Sequence, residues 1–261
     1  MGLPQRLGQH FLVRESILEK LAEAACGEHV PRVIEIGAGR GALTKHLLPR
    51  TGELHVIELD KTLAEYLQHE FASEPKLHVH QADVLEIDLS RWGPAAITGN
   101  LPYYITSPIV KKFLELDQHF TVAVFLVQRE VADRLLAVPN TRDYAYLTVA
   151  TQLTCDVELV CPVSAGAFSP PPKVESAAVR LTRKATAPDN LPELLTFVSR
   201  CFAQKRKTLR NNLRPFYSGV IETMPEAGLR AEQLPVDRFQ ALLTRLKSAT
   251  VFRSSSTLET S

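Results

Sequence analysis

No stretch of this 261-residue chain reaches the 18 or so uninterrupted apolar residues of a membrane helix, so a helical membrane span is not expected. Cysteine is scarce. Cys26, Cys155, Cys161 and Cys201 form no C-x-x-C pair and are mostly far apart, which reads as reduced, buried small hydrophobes and excludes a disulfide framework. No leader fits before the functional-looking stretch that begins at Leu7-Gly8, and the expected location is the cytoplasm. There is no internal repeat. His78-x-His80 places two imidazoles on one strand face but lacks further ligands at suitable spacing, and the other histidines read as isolated, so no metal site is expected. Net charge is also nearly absent, at +1, yet its distribution is uneven: residues 184–261 carry 12 Lys and Arg against 7 Asp and Glu, leaving 18 against 22 in the first 183. A polyanionic partner responds to such a local excess rather than to the overall charge.

What is present, 45% hydrophobic and 23% charged residues, suits a globular protein with one large and one small domain. Strand and helix patterns alternate. Helix is expected over 15–25, 42–48, 61–71 and 130–136, and strand over 32–36, 54–58, 77–80, 94–97 and 122–127. This alternation predicts an α/β fold, a doubly wound parallel sheet. Two further strands, 157–160 and 176–181, are close enough to pair antiparallel at one edge. Between them Phe168-Ser169-Pro170-Pro171-Pro172-Lys173-Val174 reads as a stiff polyproline-like loop with Phe168 at its head. Beyond a linker over 184–190 the pattern is all helical, over 192–202, 208–216 and 237–247, with a Ser/Thr-rich tail from 248 expected to be disordered. The expected division is therefore 1–183 and 184–261.

The chain is organised around Thr98-Gly99-Asn100-Leu101-Pro102-Tyr103-Tyr104-Ile105-Thr106-Ser107-Pro108. Pro102 holds Leu101 extended, which fixes the carbonyls beside the Asn100 amide, and Tyr103 offers a flat face for a planar ring. Ser107-Pro108 reads as the N-cap and first residue of the following helix. Upstream, Glu35-Ile36-Gly37-Ala38-Gly39-Arg40-Gly41 joins the first strand to the first helix, and Glu58 ends the second strand. Glycines at such a turn let backbone approach a nucleoside, and an acid about 20 residues on accepts from ribose hydroxyls. The G-x-G-x-x-A form also fits a dinucleotide, so a nicotinamide enzyme is a rival. Glu35 would crowd a pyrophosphate but suits a cationic methionine amine. Asp83, followed by Val84, stands where an adenine amine and ring would sit. These features favour S-adenosylmethionine.

These stretches, together with Leu7-Gly8-Gln9-His10-Phe11-Leu12, Phe125-Leu126-Val127-Gln128-Arg129-Glu130-Val131 and Phe202-Ala203-Gln204-Lys205-Arg206-Lys207, strongly resemble the family of small-subunit ribosomal RNA adenine N6-dimethyltransferases over nearly the whole chain. The resemblance implies an S-adenosylmethionine-dependent, Rossmann-like methyltransferase sheet with a small helical RNA-binding domain. It implies ligand contacts at His10, Leu12, Gly37, Gly39, Glu58, Asp83, Val84 and Asn100, and two adjacent adenosines near the 3′ end of small-subunit rRNA as substrate. His10, Ala38 and Ala145 depart from the Asn, Pro and Gly more usual there. The chemistry asks Asn100 and a carbonyl of the Leu101-Pro102 unit to accept the N6 hydrogens, and Tyr103 with Phe168 to sandwich the base. Lys205, Arg206, Lys207, Arg210 and Arg214, in a segment with no acid, are expected to meet RNA phosphates, with Asn and Gln as added donors. The rivals are a large-subunit dimethyltransferase of the macrolide-resistance type and a non-catalytic assembly factor. The expected partner is the small ribosomal subunit, met by a monomer with no membrane.

Overall fold

The computed structural model describes residues 10–102, 105–116, 120–186, 188, 190–217 and 219–256. The described elements are β1 (Phe11–Leu12), α1 (Glu15–Cys26), β2 (Val30–Ile36), α2 (Ala42–Leu47), β3 (Thr51–Glu58), α3 (Lys61–Glu70), β4 (Leu77–Gln81), β5 (Ala95–Asn100) and α4 (Thr106–Glu115). They continue with β6 (Phe120–Gln128), α5 (Arg129–Leu136), α6 (Tyr146–Gln152), β7 (Cys155–Val163), β8 (Phe168–Ser169), β9 (Ser176–Arg183), α7 (Leu191–Cys201), α8 (Leu209–Leu213) and α9 (Val236–Ser256). The chain divides into two compact units, Met1–Asp133 with Cys155–Arg183, and Arg134–Thr154 with Lys184–Ser261.

The first unit carries a seven-stranded sheet in the order β4-β3-β2-β5-β6-β9-β7. Strands β4 to β6 run parallel, and β9 pairs antiparallel with both β6 and β7. Val33-Ile34, Val56-Ile57, Ala96-Ile97 and the run Val122 to Val127 are buried, as strands covered on both faces must be. The chain winds outward from β2 to β4, then returns to place β5 on the other side of β2. The strand order therefore reverses between β2 and β5, where an open sheet of this kind leaves a crevice at its carboxyl ends. On α3, Asp60 caps the first turn by accepting from the amides of Thr62 and Leu63.

Several expectations need correction. Helix α4 begins at Thr106 with Ile105 as its cap, not at a Ser107 cap, because the Thr106 hydroxyl and Ile105 amide both turn back to the Pro102 carbonyl. The proline loop is not free of ladder pairing: Phe168 and Ser169 form β8 against β1, with Leu12 opposite Phe168 and Phe11 opposite Ser169. The histidines are not all isolated. His55, 5% exposed, stacks on His78, His80 and Trp92 at ring distances of 5.0, 5.3 and 4.6 Å, with His78 itself exposed. Among the described residues no group of three or more His, Cys, Asp or Glu could hold a metal ion.

In the second unit α7, α8 and α9 close over Phe197, Leu209, Leu213, Phe239, Leu242 and Leu246. Residues 134–154 belong here and not to the sheet, so the change of unit expected after Arg183 is kept but an earlier segment joins the helical unit. Tyr144 is fully buried in this core and its hydroxyl donates to the Leu234 carbonyl at 2.8 Å, while the Asn140 amide donates to Glu232 at 2.8 Å. Ala145 caps α6 at φ −151°, an extended geometry that any residue adopts, so alanine brings no backbone strain there. Helix α8 is shorter than expected, and Lys205 to Lys207 lie in a turn before it. Helix α9 runs to Ser256, past the expected end at 247, with Ser248 and Thr250 hydroxyls donating to carbonyls four residues back. All four cysteines are buried free thiols.

Candidate active site

A cavity of about 390 Å³ opens at the β2–β5 reversal, lined by His10, Leu12, Gly37, Gly39, Glu58 and Asn100 among others. The depth of the crevice depends on glycine at two places. A Cβ on Gly99 would lie 2.3 Å from the Ile36 carbonyl oxygen, so only glycine lets β5 approach β2 and bring Asn100 to the end of the glycine turn. Gly39 has φ +59°, and a Cβ there would strike the Phe11 ring at 2.8 Å. Arg40, which the sequence reading passed over, lines the same cavity with its guanidinium 5.0 Å from that ring.

Two buried carboxyls face this space. Glu58 accepts from the Gly39 amide at 3.0 Å through one oxygen and from the Asp60 amide at 3.1 Å through the other. Burial raises its pKa, and these backbone hydrogen bonds work against the rise. Each Glu58 oxygen keeps a lone pair for a vicinal diol. Glu35 is 1% exposed and accepts from the Thr44 hydroxyl at 2.7 Å. Burial, reinforced by neighbouring Glu58, pushes it up to about 8, so without a cation beside it Glu35 is mostly protonated at neutral pH. A carboxyl lodged beneath the glycine turn suits a ligand's ammonium group, whose charge would favour its ionised form.

Asn100 is held by a chain of contacts across the strands. Its Nδ2 donates to the His10 carbonyl at 3.0 Å, while His10 Nδ1 donates to the Pro170 carbonyl at 2.8 Å. A carbonyl can only accept, so the amide nitrogen is assigned and Oδ1 is the atom left to accept from a substrate. The contact uses the His10 backbone, so histidine in place of asparagine leaves it intact. The Pro102 carbonyl accepts from both the Ile105 amide and the Thr106 hydroxyl. Leu101 itself is 1% exposed, its amide donating to Leu126.

The remaining predicted residues are placed less directly. Asp83 follows β4 and accepts the Leu85 amide at 2.8 Å, and Val84 is buried; neither lines the cavity. Phe168 is 4% exposed within the sheet core that also holds Leu12 and Leu18, so its ring is not offered to a base as expected. Its neighbour Ser169 lines the cavity instead. Tyr103 lies outside the described residues. In the second unit Arg206, Lys207 and Arg210 are exposed without an ion pair among the described residues, whereas Lys205 donates to the Arg142 carbonyl at 2.6 Å and Arg214 stands 3.7 Å from Glu222. Asn212 is buried and spends its amide on the Cys201 and Gln204 carbonyls, shaping the turn instead of facing a nucleic acid.

Comparison with known proteins matches this arrangement. The chain is 36% identical over 251 residues to the ribosomal RNA small subunit methyltransferase A of Prosthecochloris aestuarii, covering 95% of each. A crystal structure of a dimethyladenosine transferase from Plasmodium falciparum superposes with a TM-score of 0.81 at 28% identity, over 92% of this chain and 98% of that one. The 23S rRNA methyltransferase ErmE superposes with a TM-score of 0.69 at 29% identity, over 91% and 99%. The sequence pattern of ribosomal RNA adenine dimethylases spans residues 3–246, and this chain belongs to that family.

Proposed function

We propose that this protein transfers methyl groups from S-adenosylmethionine to N6 of two adjacent adenosines in a hairpin loop near the 3′ end of small-subunit rRNA. The observation that carries the reading is the fixed Asn100 amide, its Nδ2 bonded to the His10 carbonyl, in the lining of a nucleoside-sized cavity; its Oδ1 and the Leu101 carbonyl serve as the paired acceptor. An exocyclic adenine amine is a weak nucleophile because its lone pair is delocalised into the ring. Two acceptors aimed at its hydrogens draw the nitrogen toward tetrahedral geometry and localise that pair. The cofactor supplies an electrophilic methyl group on a sulfonium.

Glu58 accepts from the ribose hydroxyls, Glu35 meets the methionine ammonium, and Asp83 receives the adenine amine of the cofactor. Asn100 stays uncharged at every working pH, so it accepts without adding a buried charge. Tyr103 stacks on the flipped adenine, and the Arg206, Lys207 and Arg210 cations neutralise rRNA phosphates in the second unit. The protein acts as a monomer on the small subunit in the cytoplasm. Higher identity to a small-subunit relative than to the 23S enzyme supports the choice of subunit. The test offers labelled S-adenosylmethionine with separate small and large subunits that lack the modification. Label in small subunits as N6,N6-dimethyladenosine is the expected result; label confined to large subunits, or none, defeats the proposal.

A further inference from the structure

Lys112, on α4, is used by none of the roles above. Its Nζ donates to the Leu85 carbonyl at 2.9 Å and the Ile87 carbonyl at 2.6 Å. Those carbonyls belong to a tight turn opened by Asp83, whose side chain accepts the Leu85 amide and whose carbonyl accepts the amides of Glu86 and Ile87. The turn starts from Ala82, whose amide donates to the Glu58 carbonyl at 3.1 Å. Six residues before Lys112, the Thr106 hydroxyl fastens the same helix to the Pro102 carbonyl. Helix α4 thus grips the Asp83 turn with one side chain and the Asn100–Pro102 turn with another. Burial lowers the Lys112 pKa, and the carboxylates of Asp83, Asp88 and Glu115 oppose that shift. A cation donating to two carbonyls of one turn, with carboxylates near enough to favour its charge, is a strong clamp on that turn.

We infer that Lys112 is a positioning residue that sets the Asp83 turn for the adenine end of the cofactor. The inference rests on the cofactor reading above. It concerns only how the adenine is recognised, since Glu58 and Glu35 hold the ribose and methionine ends independently of the clamp.

The experiment measures dissociation constants of S-adenosylhomocysteine and of its inosine analogue, in which oxygen replaces the adenine amine, for wild type, Lys112→Met and Lys112→Arg. Methyl transfer at saturating cofactor is measured alongside. Lys112→Met is expected to weaken S-adenosylhomocysteine about tenfold, the scale of a lost charged hydrogen-bond pair, while the inosine analogue changes by less than about twofold. The saturated rate stays within about threefold, and Lys112→Arg restores most of the affinity, as expected for loss of uniform binding. Equal weakening of both ligands, a saturated rate that falls in step with affinity, or no change at all overturns the inference. If Lys112→Met does not fold by thermal melting, Lys112→Gln is judged by the same criteria. A wild-type protein that binds no S-adenosylhomocysteine overturns the cofactor reading itself, and the inference with it.

Discussion

Asn100 shows how a single side chain acquires a chemical role from its neighbours. Its amide could face either way in solution; the His10 carbonyl takes the nitrogen and leaves the oxygen for the substrate. Asn100→Ala is therefore expected to keep cofactor affinity within about tenfold yet lower the single-turnover methyl-transfer rate by about a hundredfold or more, because the acceptor matters chiefly in the transition state. Unchanged single-turnover rates would remove Asn100 from catalysis. Glu35 makes the opposite trade. Its folded pKa of about 8 lies above the ordinary carboxyl value of 4.5, so the unfolded chain ionises first as pH rises. Stability of the ligand-free protein should fall between those two values and level off above. Glu35→Gln, which can still accept from Thr44, should flatten that decline in thermal melts across pH while weakening S-adenosylhomocysteine binding in calorimetry. A decline as steep as in wild type would mean that Glu35 is ionised before the cofactor arrives.

Among elements, the turn before α8 differs most from its sequence reading. Five cations without an acid read as one set of phosphate contacts, yet α8 spans only Leu209–Leu213, and Asn212 folds the preceding turn over itself by bonding Cys201 and Gln204. Lys205 donates one hydrogen bond to the Arg142 carbonyl, while Arg206, Lys207 and Arg210 are exposed with no ion pair among the described residues. Changing these three to Gln should leave the melting temperature nearly unaltered. The slope of log affinity for small subunits against log salt should become shallower by about two units, at roughly 0.7 to 0.9 per phosphate contact. Parallel lines for variant and wild type would place the RNA elsewhere. The proline loop is a second lesson of the same kind. Three prolines forbid a long strand, yet two residues before them suffice for β8, and that short ladder ties the loop to the segment that orients Asn100.

At the scale of the whole molecule, the reaction centre exists because two strands far apart in sequence are brought side by side with no side chain between them. Gly99→Ala would force β5 away from β2, where a Cβ has only 2.3 Å to the Ile36 carbonyl. A loss of about 1 to 3 kcal/mol is expected, as for overpacking in a core. Cofactor binding should weaken with it, since Asn100 and Gly37 move apart; urea unfolding and calorimetry on the same variant check both. Wild-type stability and binding would show that the strands have slack there.

Local periodicity settled the alternation of strands and helices, and the glycine turn, Glu58 and the Asn100–Pro102 motif were readable because each is a short-range pattern with its own physical reason. The handedness of the crossovers narrows the strand orders that such an alternation allows, and the reversal between β2 and β5 is seen in the structure. Tertiary structure alone decided what depends on distant partners: that residues 134–154 join the helical unit through Tyr144, that Phe168 is buried, that Lys205 and Asn212 are already bonded, and which atom of the Asn100 amide is bonded within the fold. A side chain's type fixes the bonds it can make, but which of them it spends within the fold depends on groups as far as 160 residues away, and no local pattern records that choice.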